Sequence, residues 1–133
     1  MSITLSDGTV TLALADDLRW TDEASWTAVE QSVERSVTGA LIVSLADRGS
    51  VGRPITLAPP DEASAWMPRA TLDQLLIWAA LPGQQLTLVR NGVTRTVILR
   101  HHDAPAIDAT PVVYYSDEQS DDPYLITLKL MQV

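Results

Sequence analysis

The stretch from Thr71 to Gly83, Thr-Leu-Asp-Gln-Leu-Leu-Ile-Trp-Ala-Ala-Leu-Pro-Gly, constrains the fold of this chain more than any other. Leu72, Leu75, Leu76 and Ala79 form an apolar stripe at helical spacing. Pro82-Gly83 is a stop signal, so the pattern predicts a helix over about 71–81. Thr71 and Gln74 have capping-box spacing, and Asp73 places a negative charge in the first turn, where the helix dipole favours it. Ile77, Trp78, Ala80 and Leu81 extend the apolar surface almost all the way round. Such a helix is expected to be covered on most sides. Both Leu75 and Leu76 are therefore expected in the core.

Nearly everything else reads as strand. Ile3 to Leu14 is a hairpin pattern around Asp7-Gly8; a two-residue turn would set Leu5 opposite Val10 and Ile3 opposite Leu12. Residues 26–37 fit either a helix stripe (Trp26, Val29, Val33, Val37) or a strand; their β-branched content and the quick return through Thr38-Gly39 to 40–45 favour strand. The polar loop 46–52, with Asp47, Arg48, Gly49 and Gly52, is longer than a hairpin needs and is a candidate contact arm. It leads to a strand over 53–58. Pro54 cannot donate to a ladder, so that end should lie at an edge. Leu86–Arg90 and Val93–Arg100 flank Asn91-Gly92, the strongest short hairpin signal, which pairs Thr87 with Thr96 and Val89 with Thr94. Residues 107–115 look extended apart from Pro111, and 124–131 close the chain as an alternating strand. The expected fold is mainly β with one α-helix packed on it, in a single domain spanning 1–133.

Composition narrows the function classes. There is no Cys, which removes disulfides and thiolate metal sites. The formal net charge is −8, with 17 acidic against 9 basic residues, so tight nucleic-acid binding is not expected. No apolar run reaches the roughly 18 residues of a membrane span, and the first residues lack the pattern of a signal peptide. His101-His102-Asp103 is the one place where catalytic residue types adjoin. In an extended segment neighbouring side chains diverge, and no second His or Cys cluster exists to complete a metal set. No nucleophile elbow, phosphate loop or zincin pattern is present. Neither enzyme activity nor a cofactor is expected.

The acidic loop Asp16–Glu23 reads as a solvated connection, or as a partner contact through Trp20, a large aromatic that is costly to leave in water. Three further segments carry a resemblance: Gly52-Arg53-Pro54-Ile55-Thr56-Leu57; Trp66 and Arg69 followed by Leu72, Leu75 and Trp78 with Pro82-Gly83; and Leu86-Thr87-Leu88 through Asn91-Gly92 to Arg100-His101. Over residues 52–108 this pattern resembles small bacteriophage tail proteins near the distal-tail and baseplate-hub proteins at the end of the tail tube. The resemblance implies a tail-tube-like β-sandwich or split β-barrel with a helix inserted between strands, assembled as a ring, typically a hexamer. It implies other tail or baseplate proteins as partners, DNA passing through the lumen without specific binding, no membrane, and a place in the virion. The chain is short for a full distal-tail protein and has no room for a second, carbohydrate-binding domain, which favours a tube-end, hub or tail-completion adaptor. Trp20, Arg48, Arg53, Trp66 and Arg69 are the candidate interface residues. In a tube, carboxylates from the clusters at 16–23 and 117–122 would face the channel, with arginines nearer the subunit contacts. The competing expectation is a small β-sandwich module that holds a carbohydrate or peptide with its Trp residues.

Overall fold

A computed structural model describes residues 3–47, 49, 51–113, 116–117 and 119–133. Arg48, Glu118 of the acidic cluster at 117–122 and Tyr114-Tyr115 at the end of the expected 107–115 strand lie outside the described residues. The strands are β1 (Ile3–Ser6), β2 (Thr11–Leu14), β3 (Arg19–Trp20), β4 (Val29–Arg35), β5 (Leu41–Asp47), β6 (Pro54–Ala58), β7 (Trp66–Pro68), β8 (Leu86–Arg90), β9 (Val93–Leu99), β10 (Ile107–Pro111) and β11 (Pro123–Gln132). One helix, α1 (Arg69–Ala79), stands between β7 and β8. The fold is mainly β with a single helix. Its sheets are antiparallel and not closed into a barrel.

β11 is the strand on which the others converge. Its first half pairs with β10 and β7, its second half with β6 and β9. The remaining strands follow outward in the order β2-β1-β8-β9-β11-β6-β3. Strict alternation explains why β11 can serve this way. Tyr124, Ile126, Leu128 and Leu130 are buried while Leu125, Thr127, Lys129 and Met131 are only partly buried, so one face carries the core and the other reaches towards water. Ile3 and Leu5, Ile55 and Leu57, Leu86 and Leu88, and Val97 and Leu99 alternate inward in the same manner and complete the core with Trp20, Leu75 and Trp78.

The Asn91-Gly92 hairpin forms as its sequence dictates. Both residues take positive φ (54° and 79°), and Thr87 faces Thr96 while Val89 faces Thr94. The Asp7-Gly8 hairpin is looser than expected. Leu5 pairs with Leu12 and Ile3 with Leu14, leaving residues 7–10 as the loop. The Asp7 carboxylate causes this: Oδ1 accepts the amide hydrogens of Thr9 (2.8 Å) and Val10 (2.7 Å) and so closes the wider turn. Shifting the register by two residues keeps the apolar set on the same face. Pro54 lies at an end of β6 flanked by β11 alone, because β3 covers only Leu57 and Ala58.

The helix departs from expectation in two respects. It begins at Arg69, and its first amides are taken by the chain preceding β11 rather than by a Thr71/Gln74 box: Arg69 N–H donates to the Asp122 carbonyl (2.9 Å) and Ala70 N–H to that of Ser120 (3.0 Å). Thr71 is buried inside the first turn, and Asp73 pairs with Arg69 across one turn at 3.1 Å. Nor is the helix covered on most sides. Thr71, Leu72, Leu75 and Trp78 face inward, while Leu76 and Ile77 are 46% and 57% exposed. Trp78 is held by its indole N–H, which donates to Asp7 Oδ2 at 3.0 Å and ties the helix to the β1–β2 loop.

Leu75→Ala is expected to lower unfolding free energy by about 2–5 kcal/mol, the range for truncating a buried leucine. Leu76→Ala, at a half-exposed site, should change it by no more than about 0.5 kcal/mol; parallel urea titrations compare the two. The amides of Val10 and Thr9 hold the Asp7 carboxyl below its ordinary value of 3.8. A depressed carboxyl pKa stabilises the fold above the unfolded value and loses that contribution as pH falls through the folded value. Asp7→Asn should therefore be less stable than the native chain near neutral pH, and the two should converge below pH 3.8, as read by urea unfolding across that range.

Candidate interface: an uncovered arm on an arginine-lined end

β4 and β5 form a sheet of their own. Among the described residues they pair only with each other, and every residue of both strands is exposed. The reading of 26–37 as strand holds for Val29–Arg35, and that of Thr38-Gly39 as turn holds: Ser36 N–H donates to the Ala40 carbonyl at 2.8 Å and closes the tip. This hairpin, which loop 46–52 follows, is the feature that stands apart from the main sheet. Residues that pair directly across an antiparallel ladder share a face. The register Val29–Asp47, Gln31–Leu45, Val33–Val43, Arg35–Leu41 therefore puts Val29, Val33, Leu41, Val43 and Leu45 on one side, together with Gln31, Arg35 and Asp47. The other side carries Glu30, Ser32, Glu34 and Ser44 with Ile42 and Ala46. The arm is amphipathic, and no described part of the main sheet covers its apolar face. Val33 is 55% and Leu45 65% exposed. A lone two-stranded hairpin is marginal in water.

The legs of the arm leave the body where the core ends in polar residues. Just before β6, Arg53 is the next inward position ahead of Ile55; in β8, Arg90 follows Leu88; in β9, Arg95 precedes Val97. The three guanidinium carbons gather round the Trp20 ring at 4.5 Å (Arg53), 5.5 Å (Arg90) and 5.0 Å (Arg95) from its centroid. Trp20 is only 4% exposed and sits on β3, so the expected loop contact through this residue is corrected: the cost of leaving it in water is avoided by burial under arginine. Arg53 also clasps the two legs, donating from one terminal nitrogen to the Glu23 carbonyl (3.0 Å) and lying 5.9 Å from the Trp26 ring. Glu23 reaches Arg90 at 3.9 Å. Burial, with Arg53 and Arg90 adding like charge, holds the Arg95 guanidinium below its usual range, partly offset by Glu23. Beside this cluster Asp22 accepts from the Thr56 amide (3.0 Å) and hydroxyl (2.9 Å), and the Thr56 oxygen accepts from Arg100.

The candidate residues divide between two ends of the molecule. Trp20 and Arg53 lie together at the arm's root. Trp66 pairs with Leu125 near the start of β11, whereas Pro54, next to Arg53, pairs with Met131, six residues or about 20 Å along that strand. Trp66 is half-exposed, its indole N–H donating to the Glu62 carbonyl (2.9 Å). Arg69 binds the Asp73 carboxylate and the Tyr124 hydroxyl (2.8 Å) within the chain. Sequence reasoning missed Arg90 and Arg95, although a signal existed: each stands where an inward-facing apolar alternation would continue. The acidic cluster at 16–23 is partly consumed inside the chain, with Asp17 accepting the Ala65 amide, Asp22 holding Thr56 and Glu23 facing Arg90. His101 and His102 are exposed beside a shallow cavity with Trp78 and Leu81, and Asp103 is bound to Arg100 (3.6 Å) and Lys129 (3.5 Å). Among the described residues no group of three His, Asp or Glu could hold a metal ion.

Crowding of three arginines has a measurable signature. Arg95→Met keeps the apolar cover over Trp20 but removes one of the like charges. The variant should resist urea better than the native chain at low ionic strength, and the gap should narrow as salt screens the repulsion. Comparison of the chain with protein-family models, with curated proteins and with solved structures finds no match.

Proposed function

We propose that the chain is a structural subunit of a phage tail, assembled into a ring at the tube end or baseplate hub, and that the β4–β5 arm is its means of assembly. The observation that carries this reading is the arm: an amphipathic hairpin whose apolar face nothing among the described residues covers. A hairpin of this kind is stabilised when a neighbouring copy covers that face. A contact between unlike surfaces then propagates from copy to copy, closing as a ring where the rotation allows. The resemblance over 52–108 supports the tail assignment separately, because the arm lies outside those residues. On this reading the protein acts without catalysis or cofactor, its ring is a hexamer, its neighbours are other tail or baseplate proteins, and DNA passes through the lumen of the virion tail unbound. The polar arm face with Glu30 and Glu34 suits a surface that repels phosphate. No described helix is long and apolar enough to cross a membrane.

A module that grips sugar with a tryptophan platform has less support. Trp20 and Trp78 belong to the core, and Trp66 lies near the start of β11, away from the Arg53 end of that strand where Trp26 sits.

The purified chain is expected to sediment as a multimer and to give rings in electron micrographs. Val33→Asp with Leu45→Asp, on the apolar arm face, should reduce it to monomer with an unchanged near-ultraviolet circular dichroism spectrum. A native chain that remains monomeric at high concentration, alone and mixed with tail proteins, would overturn the proposal.

A further inference from the structure

The arginine end of the molecule carries an unmet charge. Arg53, Arg90 and Arg95 converge on Trp20 with one carboxylate among the described residues, Glu23, in reach, and that ion pair is long at 3.9 Å. Two positive charges thus remain in excess at one spot of a chain whose formal net charge is −8. Folding places like charges together here against Coulomb repulsion. The Nε atom of Arg53 is also buried with no hydrogen-bond partner among the described residues, as is the side-chain oxygen of Gln132, whose backbone N–H donates to the Arg53 carbonyl at 2.9 Å. Buried polar atoms without partners are uncommon in folded proteins.

The opposite end has the complementary charge. The segment before β11 carries exposed Asp117 and Asp121, and Glu62 lies close by, lining a shallow cavity with Pro111, Val112 and Leu125. β11 runs from this acidic end to the arginine end over its 10 residues, roughly 30 Å of strand. The arm leaves from the arginine end, because Arg53 follows its second leg and stands next to the first residue of β6.

We propose that the Arg53–Arg90–Arg95 cluster is a carboxylate-binding site whose occupants are the Asp117 and Asp121 carboxylates of a second copy of this chain, so that copies join head to tail. Arginine is suited to this because its planar fork takes a carboxylate through paired hydrogen bonds, and a guanidinium already stacked on an indole loses little freedom on binding. An acidic chain gains most from such a contact, since each junction neutralises the excess at both ends. The contact is between unlike surfaces, which makes rings or open stacks rather than closed two-fold dimers. The inference rests on the assembly reading above and adds to it the identity of the receiving surface.

Charge reversal tests it. In sedimentation velocity, Arg95→Glu should weaken self-association at least about tenfold, because it cancels the two positive charges in excess. Asp117→Asn with Asp121→Asn, at the opposite end, should weaken it as well. Arg95→Gln, milder towards Trp20 packing, should weaken association by less than Arg95→Glu, and the urea midpoint of each variant reports whether it folds. If Arg95→Glu folds and associates like the native chain, the proposal is overturned, and likewise if the Asp117/Asp121 variant folds and associates like the native chain. Loss of retention of a double-stranded DNA oligonucleotide in Arg95→Glu, with association unchanged, would make the cluster a phosphate site instead and also overturn it. A multimer abolished by the arm variants but indifferent to Arg95 sinks only this inference, whereas a monomeric native chain sinks both readings.

Discussion

The pairing of β11 with four other strands is the constraint on which the rest of the structure depends. A strand of 10 residues with strict inward alternation from Tyr124 to Leu130 can offer hydrogen bonds along both edges and a continuous apolar face. Because β10 and β7 take its first half and β6 and β9 its second, elements distant in sequence are brought to fixed positions relative to one another. The helix inherits its place from the same strand: the segment entering β11 supplies the carbonyls of Ser120 and Asp122 that receive the first helical amides. Trp78 and Asp7 then lock the far end of the helix to the first hairpin.

Local chemistry makes part of this legible in the amino-acid sequence. Asn91-Gly92 specifies a turn and a register together, because both residues adopt positive φ without strain. Alternation in 124–131 names the inward residues, and Pro54 locates an open edge. The misses share one physical cause, dependence on distant parts of the chain. Whether Leu76 is buried depends on how many layers surround the helix, which helical spacing cannot report; the same stripe suits a helix covered on one side or on three. The width of the first hairpin turn depends on which amides the Asp7 carboxylate takes, and Thr71 loses its capping role to carbonyls from a segment about 50 residues away.

The interface is legible in the same partial manner. β-branched content is enough to mark 29–35 as strand, but not to reveal that β4 and β5 stand apart from the main sheet, since periodicity is identical in a covered and an uncovered hairpin. Sequence reasoning singles out Arg53 but not Arg90 and Arg95, although all three occupy inward positions just past an apolar alternation. A polar residue at such a position states where a core stops. Three of them at separate strands, closing over one tryptophan, state that the core has an open end.

The geometry of β11 bears on how the molecule carries load. A pull applied between its two ends runs parallel to the strand, while its ladder hydrogen bonds lie across it. Such a force shears many bonds at once instead of unzipping them singly, so rupture requires the flanking strands to slip together. A chain built in this way is stiffest along the axis that joins the Asp121 end to the Arg53 end, and its weakest mechanical points are the unbacked strands β4 and β5, where a hairpin can peel from its tip one pair at a time.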